Sequence, residues 1–96
     1  MAASYGFLEV QGLVCGVEAA DAMLKAANVR LIRQITTNPG LITLVVEGDI
    51  GSCRAAVDAG RSVAERLEAL VSEKVIGRPE PDLSVFLRPP GQRKKP

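Results

Sequence analysis

The chain has 96 residues, enough for one domain and not for two. Apolar residues make up 47% of it, so it can close a core, but only 3% are aromatic and tryptophan is absent, so that core must be built from Val, Leu, Ile and Ala. Twelve basic residues against eleven acidic ones leave a net charge of +1, which argues against a dedicated nucleic-acid binder, because such a domain needs a basic face.

Tyr5 to Val10 predicts a first strand with Phe7 and Leu8 on opposite faces, broken at Gly12. From Val14 to Asn28 the pattern is helical: Val17, Ala20, Leu24 and Ala27 recur at three- and four-residue steps and mark the apolar face. Glu18, Asp21 and Lys25 fall on another face, with Asp21 and Lys25 spaced for a weak attraction one turn apart. Val29 to Thr37 predicts a second strand, and Asn38-Pro39-Gly40 a turn, since proline fixes one corner and glycine tolerates positive φ at the next. Leu41 to Glu47 follows as a third strand, apolar on both faces and therefore central and covered on both sides. Strands two and three form a hairpin with its tip at residues 37–40.

Asp49 is a good N-cap, because its carboxylate can accept from the free N–H groups of a first helical turn. That helix runs to about Leu67, with Cys53, Val57, Gly60, Ala64 and Leu67 on one stripe. Gly60 in mid-helix costs about 1 kcal/mol against alanine, which a close backbone approach would explain. A fourth strand spans Ala69 to Ile76; Pro79 and Pro81 stop the sheet, and Asp82 to Leu87 form either a short helix or a turn. Residues 1–88 make the single domain, and 89–96, with Gln92-Arg-Lys-Lys-Pro96, a basic disordered tail. Strand, helix, strand, strand, helix, strand is the ferredoxin-like βαββαβ order, an α+β fold whose antiparallel sheet carries its helices on one face.

Catalytic chemistry has little to start from. There is no histidine, so the usual general base is missing. Cys15 and Cys53 have no metal spacing and lie among small apolar residues on the predicted helices, as buried, reduced thiols of a cytosolic protein do. The serines have no base beside them in sequence, and Glu47-Gly-Asp-Ile-Gly51 lacks the glycine spacing and lysine of a phosphate loop. The expectation is a non-enzyme with no cofactor and no metal. Met1 to Tyr5 is too short for a secretory signal, and no run approaches the ~18–20 apolar residues of a membrane span.

Three segments carry a resemblance: Glu18-Ala-Ala-Asp-Ala-Met-Leu-Lys-Ala-Ala-Asn-Val29, Gly48-Asp49 followed by Cys53-Arg-Ala-Ala-Val-Asp-Ala-Gly60, and Val75-Ile-Gly-Arg-Pro79. In this order and spacing the chain resembles the bacterial microcompartment (BMC) shell domain from about Tyr5 to Pro79. Asn38-Pro39-Gly40 and the strand after it look closest to minor shell subunits of ethanolamine-utilisation-type compartments. The resemblance implies a cytoplasmic shell subunit: a flat cyclic homohexamer that packs edge to edge with other shell subunits around encapsulated enzymes, with a central pore for small metabolites. It places the pore at Thr37, Asn38, Pro39 and Gly40. The family commonly has glycine or serine there, and only Gly40 keeps that type. Pro39 has no N–H to offer and Asn38 brings a bulkier amide, so an altered pore is expected. It places Lys25, Asn28 and Arg78 at the edge where hexamers meet.

Each assignment has a plainer counterpart. The loop is otherwise a hairpin turn, Lys25 a surface residue paired with Asp21, Arg78 a cap on strand-end carbonyls, and Asn28 the C-terminal cap of its helix. Two other functions compete: a monomeric adaptor that links shell to cargo or nucleic acid through the tail, and a small-ligand regulatory domain.

Overall fold

A computed structural model describes residues 3–37 and 39–87. Its elements run β1 (Ser4–Gln11), α1 (Leu13–Ala26), β2 (Arg30–Thr37), β3 (Leu41–Gly48), α2 (Ile50–Arg66), β4 (Leu70–Ile76) and α3 (Leu83–Leu87). The four strands form one antiparallel sheet in the order β2-β3-β1-β4. This is the ferredoxin-like arrangement. The basic tail, 89–96, lies outside the described residues, as does Asn38.

β3 is central, as its two apolar faces require. Ile42, Leu44 and Val46 face α1 and α2 together with Leu8 and Val10 of β1. Val45 points the other way and joins Tyr5, Ile32 and Leu87 in a second, smaller cluster. Residues 82–87, for which helix and turn were both open, contain the short helix α3. It packs Leu83 and Leu87 onto the sheet face opposite the long helices. An N–H of the Arg33 guanidinium donates to the Phe86 carbonyl at 3.2 Å and ties α3 to β2. The two long helices therefore share one face, and a third, short one sits on the other.

α2 follows its sequence closely. Asp49 caps it, accepting from the Ser52 N–H at 2.8 Å and from the Ser52 hydroxyl at 3.0 Å. Gly60 is a close approach: a Cβ there would lie 2.7 Å from Leu8 Cδ2 and 2.7 Å from Met23 Cγ. A larger residue where α2 crosses α1 above β1 would force Leu8 or Met23 to shift. The helix ends with Leu67 as C-cap and Glu68 at φ 55°. The Glu68 N–H donates to Glu65 O and the Ala69 N–H to Ala64 O, a complete Schellman motif with glutamate in the place usually held by glycine. Leu67 itself is exposed, which trims the expected stripe by its last member.

α1 departs from expectation in which side faces inward. Cys15, Gly16, Ala19 and Met23 are the buried residues, whereas Val17 and Leu24 of the expected apolar face are exposed. The cause is steric at the start of the helix. A Cβ on Gly16 would sit 3.0 Å from Ile42 Cγ2, so the first turns of α1 lie too close to β3 for large side chains; further on, Met23 turns in over the space left by Gly60. The helix also stops earlier than predicted, because Ala27 adopts an extended conformation (φ −157°) and is the C-cap. Asn28 lies beyond that cap, which corrects its reading as the cap itself.

Candidate functional site

The hairpin tip is built by the strands that flank it. Thr37 ends β2 opposite Leu41, which begins β3. Gly40 has φ +94°, the conformation for which glycine is suited, and its N–H closes the turn onto Thr37 O at 2.8 Å. The junction of β1 and α1 then grips this turn from outside. The Gly12 N–H donates to Gly40 O at 2.7 Å, and the Gln11 side-chain amide donates to Pro39 O at 2.9 Å. Thr37 and Pro39 are exposed.

Near this tip, beside the exposed Gln11, Thr36 and Thr37, several aliphatic side chains are also exposed. Gln11 N bonds Ala69 O at 2.8 Å, so the start of β4 runs beside the start of α1. Both starts expose aliphatic side chains: Leu13 (59%), Val14 (73%) and Val17 (61%) on α1, then Leu67 (47%) and Val71 (51%) at the α2–β4 connection.

The second group of predicted residues lies at the opposite end of the sheet. A Cβ on Gly48 would come within 3.1 Å of Asn28 O. Gly48 pairs with Ser4, whose hydroxyl donates to Gly77 O at 3.0 Å, immediately before Arg78. Asn28, Gly48, Ser4 and Gly77 thus form a row that brings Asn28 and Arg78 to one end. Lys25, in the last turn of α1, points out near them and pairs with Asp21 at 2.9 Å. Both members of that pair are largely exposed, so it is worth at most a few tenths of a kcal/mol, ~0.3–0.5 kcal/mol by analogy with other helix pairs. Arg30 pairs with the buried Glu47 carboxylate at 2.5 Å at this same end.

On the open face of the sheet, Glu9 accepts from the Ser72 hydroxyl at 2.6 Å and from the Thr43 hydroxyl at 2.8 Å. These two bonds, Ser72 first, hold its carboxyl below the usual glutamate range. Burial pushes both cysteine thiols up, helped by Glu18 at Cys15 and by Asp49 at Cys53. Shifted in this direction, the thiols are not poised as thiolate nucleophiles at neutral pH. Among the described residues no group of three or more Cys, Asp or Glu is placed to hold a metal ion. A groove between α2 and β4 is open to solvent and lined by Arg54, Asp58, Glu73 and Lys74, whose charges balance. Among the described residues no helix is long and apolar enough to cross a membrane.

Sequence patterns did not reveal Gln11, Gly12 or the Glu9 cluster. Gln11 and Pro39 are 28 residues apart, and Glu9 and Ser72 are 63 apart. The one local signal was Gly12, whose positive φ (+98°) lets the chain turn from strand to helix just where its N–H meets Gly40.

Known proteins are similar to this chain in sequence and in architecture. Residues 4–79 match the BMC domain. The bacterial microcompartment shell protein EutK of Salmonella typhimurium is 60% identical over 77 residues, covering 80% of this chain and 47% of that protein. The shell protein EutM of the same organism is 49% identical over 78 residues, covering 81% of each. The chain thus spans about half the length of EutK and most of EutM. A crystal structure of a microcompartment protein from Desulfitobacterium hafniense DCB superposes with a TM-score of 0.81 at 29% identity, covering 94% of this chain and 50% of that one. With the match spanning all four strands and both long helices, the chain belongs to the BMC-domain family.

Proposed function

We propose that the protein is a non-catalytic shell subunit of a bacterial microcompartment in the cytoplasm. It assembles as a homohexamer with the 37–40 turns around a central pore, and it tiles with other shell subunits through Lys25, Asn28 and Arg78. The hexamers would enclose the compartment's enzymes and pass small metabolites through the pore.

The observation that carries this is the apolar collar of Leu13, Val14, Val17, Leu67 and Val71 beside the turn. Exposed aliphatic residues grouped in this way on a small domain mark an association surface. A ring is closed by a heterologous interface, in which one patch meets a different patch on the next copy. Burying the collar in such contacts brings the turns of all copies toward the axis. The kinship with EutK and EutM, both named as shell proteins, supports the same reading.

The test is solution mass by light scattering over a range of concentrations, together with solute passage through the assembled ring. A stable particle of six subunits, whose permeability falls in Gly40→Trp while its mass stays the same, supports the proposal. A persistent monomer removes the pore and leaves the adaptor in its place.

A further inference from the structure

We propose that Gln11 is the positioning residue of the turn: it fixes the Pro39–Gly40 peptide and thereby sets which solutes the pore admits. The second half rests on the pore described under Proposed function.

The argument begins with the freedom of that peptide. Proline locks φ at Pro39, while glycine at 40 is permissive, so the peptide plane between them is the soft element of the turn. Flipping it exchanges the direction of the Pro39 carbonyl with that of the Gly40 N–H, at little steric cost. Here the plane is held at both poles. The Gly40 N–H donates to Thr37 O at 2.8 Å, and the Pro39 carbonyl accepts from the Gln11 amide at 2.9 Å. The first bond lies within the hairpin, whereas the second comes from another strand and depends on one side chain. Gln11 is the last residue of β1 and pairs with Leu41, so its backbone is fixed beside the turn. Its amide nitrogen would lie 3.3 Å from a Cβ on Gly40, which places it directly against that residue. Gly12 contributes a separate backbone bond to Gly40 O, which a substitution at 11 leaves in place.

A peptide carries a dipole of about 3.5 D, so its orientation near a narrow opening matters to a passing ion. While Gln11 occupies the Pro39 carbonyl, that acceptor is withheld from solutes. Releasing it in every subunit adds a ring of free carbonyl oxygens, which favour cations and hydrogen-bond donors and disfavour anions.

The experiment compares the full chain with Q11M, which keeps the length and removes the donor, and with Q11K, which keeps a donor. Amide hydrogen exchange at Gly40 reads the hold on the turn. The reversal potential of assembled rings in a planar lipid bilayer under a KCl gradient reads selectivity. Q11M is expected to speed exchange at Gly40 about tenfold and to raise cation-over-anion preference at least twofold at unchanged ring mass; Q11K is expected to restore slow exchange. Should Q11M not assemble, Q11E, of the same length and without a donor, replaces it in the exchange measurement. Wild-type exchange at Gly40 in the donor-free variant overturns the proposal. Faster exchange with an unchanged reversal potential overturns its selectivity half, provided that Gly40→Trp alters conductance. If Gly40→Trp leaves conductance unchanged, the pore itself is wrong, and exchange alone still decides whether Gln11 holds the turn.

Discussion

The two ends of the sheet are finished with different chemistry. At the turn end, hydrogen bonds from Gly12, Gly40 and Gln11 knit the backbone together, and the exposed residues at the start of α1, Leu13, Val14 and Val17, are aliphatic. At the other end, the row from Asn28 to Gly77 is surrounded by exposed polar residues, Lys25, Asn28 and Arg78, and the apolar exposure of Leu24, Leu31 and Ile50 is smaller. Aliphatic surface gives a tight contact that forms once and persists, while long charged side chains give weak contacts that salt can loosen. In the assembly proposed above, the first surface would close the ring and the second would join rings reversibly.

Charging the aliphatic end should produce the largest effect. V14E combined with V17E is expected to convert the ring to monomers, a sixfold loss of mass by light scattering, with the far-UV circular dichroism spectrum retained because both residues are already exposed in the single chain. Next comes the polar end: K25A with R78A should leave ring mass unchanged and abolish extended two-dimensional sheets under the electron microscope. If the first pair abolishes sheets without dissolving rings, the assignment of the two ends is reversed.

The remaining predictions sharpen the comparison through stability. Glu68 holds a left-handed conformation where α2 turns into β4 at the aliphatic end. Replacing it with glycine should add about 1 kcal/mol to the free energy of unfolding in urea, since a residue with a Cβ costs about 1–2 kcal/mol in that conformation. The smallest effect concerns pH. The Glu9 carboxyl is depressed when folded, so its contribution is present above the ordinary glutamate value of 4.5 and lost as pH falls through its lower folded value. E9Q should therefore flatten the decline in stability below about pH 4.5, and should leave ring mass at neutral pH unaltered.

The order of elements, the central position of β3, the Asp49 cap and the close approach at Gly60 were all legible in the sequence, because each follows from local pattern or residue type. The inward side of α1 was not. Its sequence places aliphatic residues all around the helix, and only the proximity of Ile42 at Gly16, and of Gly60 at Met23, decides that Gly16, Ala19 and Met23 face in while Val14 and Val17 face out. Hydrophobic periodicity adds exposed aliphatic residues to the core face and cannot separate the two. The grip of Gln11 on the turn was hidden for another reason: it joins segments distant in sequence, and no residue pattern marks it. Asn28 looked like a helix cap because asparagine often is one, but the extended backbone at Ala27 had already ended the helix.

α3 gives the molecule an optical handle. Tyr5 is the single tyrosine of a chain without tryptophan, and it lies in the small cluster that Leu83 and Leu87 complete. Emission excited at 280 nm therefore comes from one ring in one place. Lifting α3 from the sheet would wet that ring while the helices on the far face stayed packed, so quenching by acrylamide can follow the seating of α3 without any label.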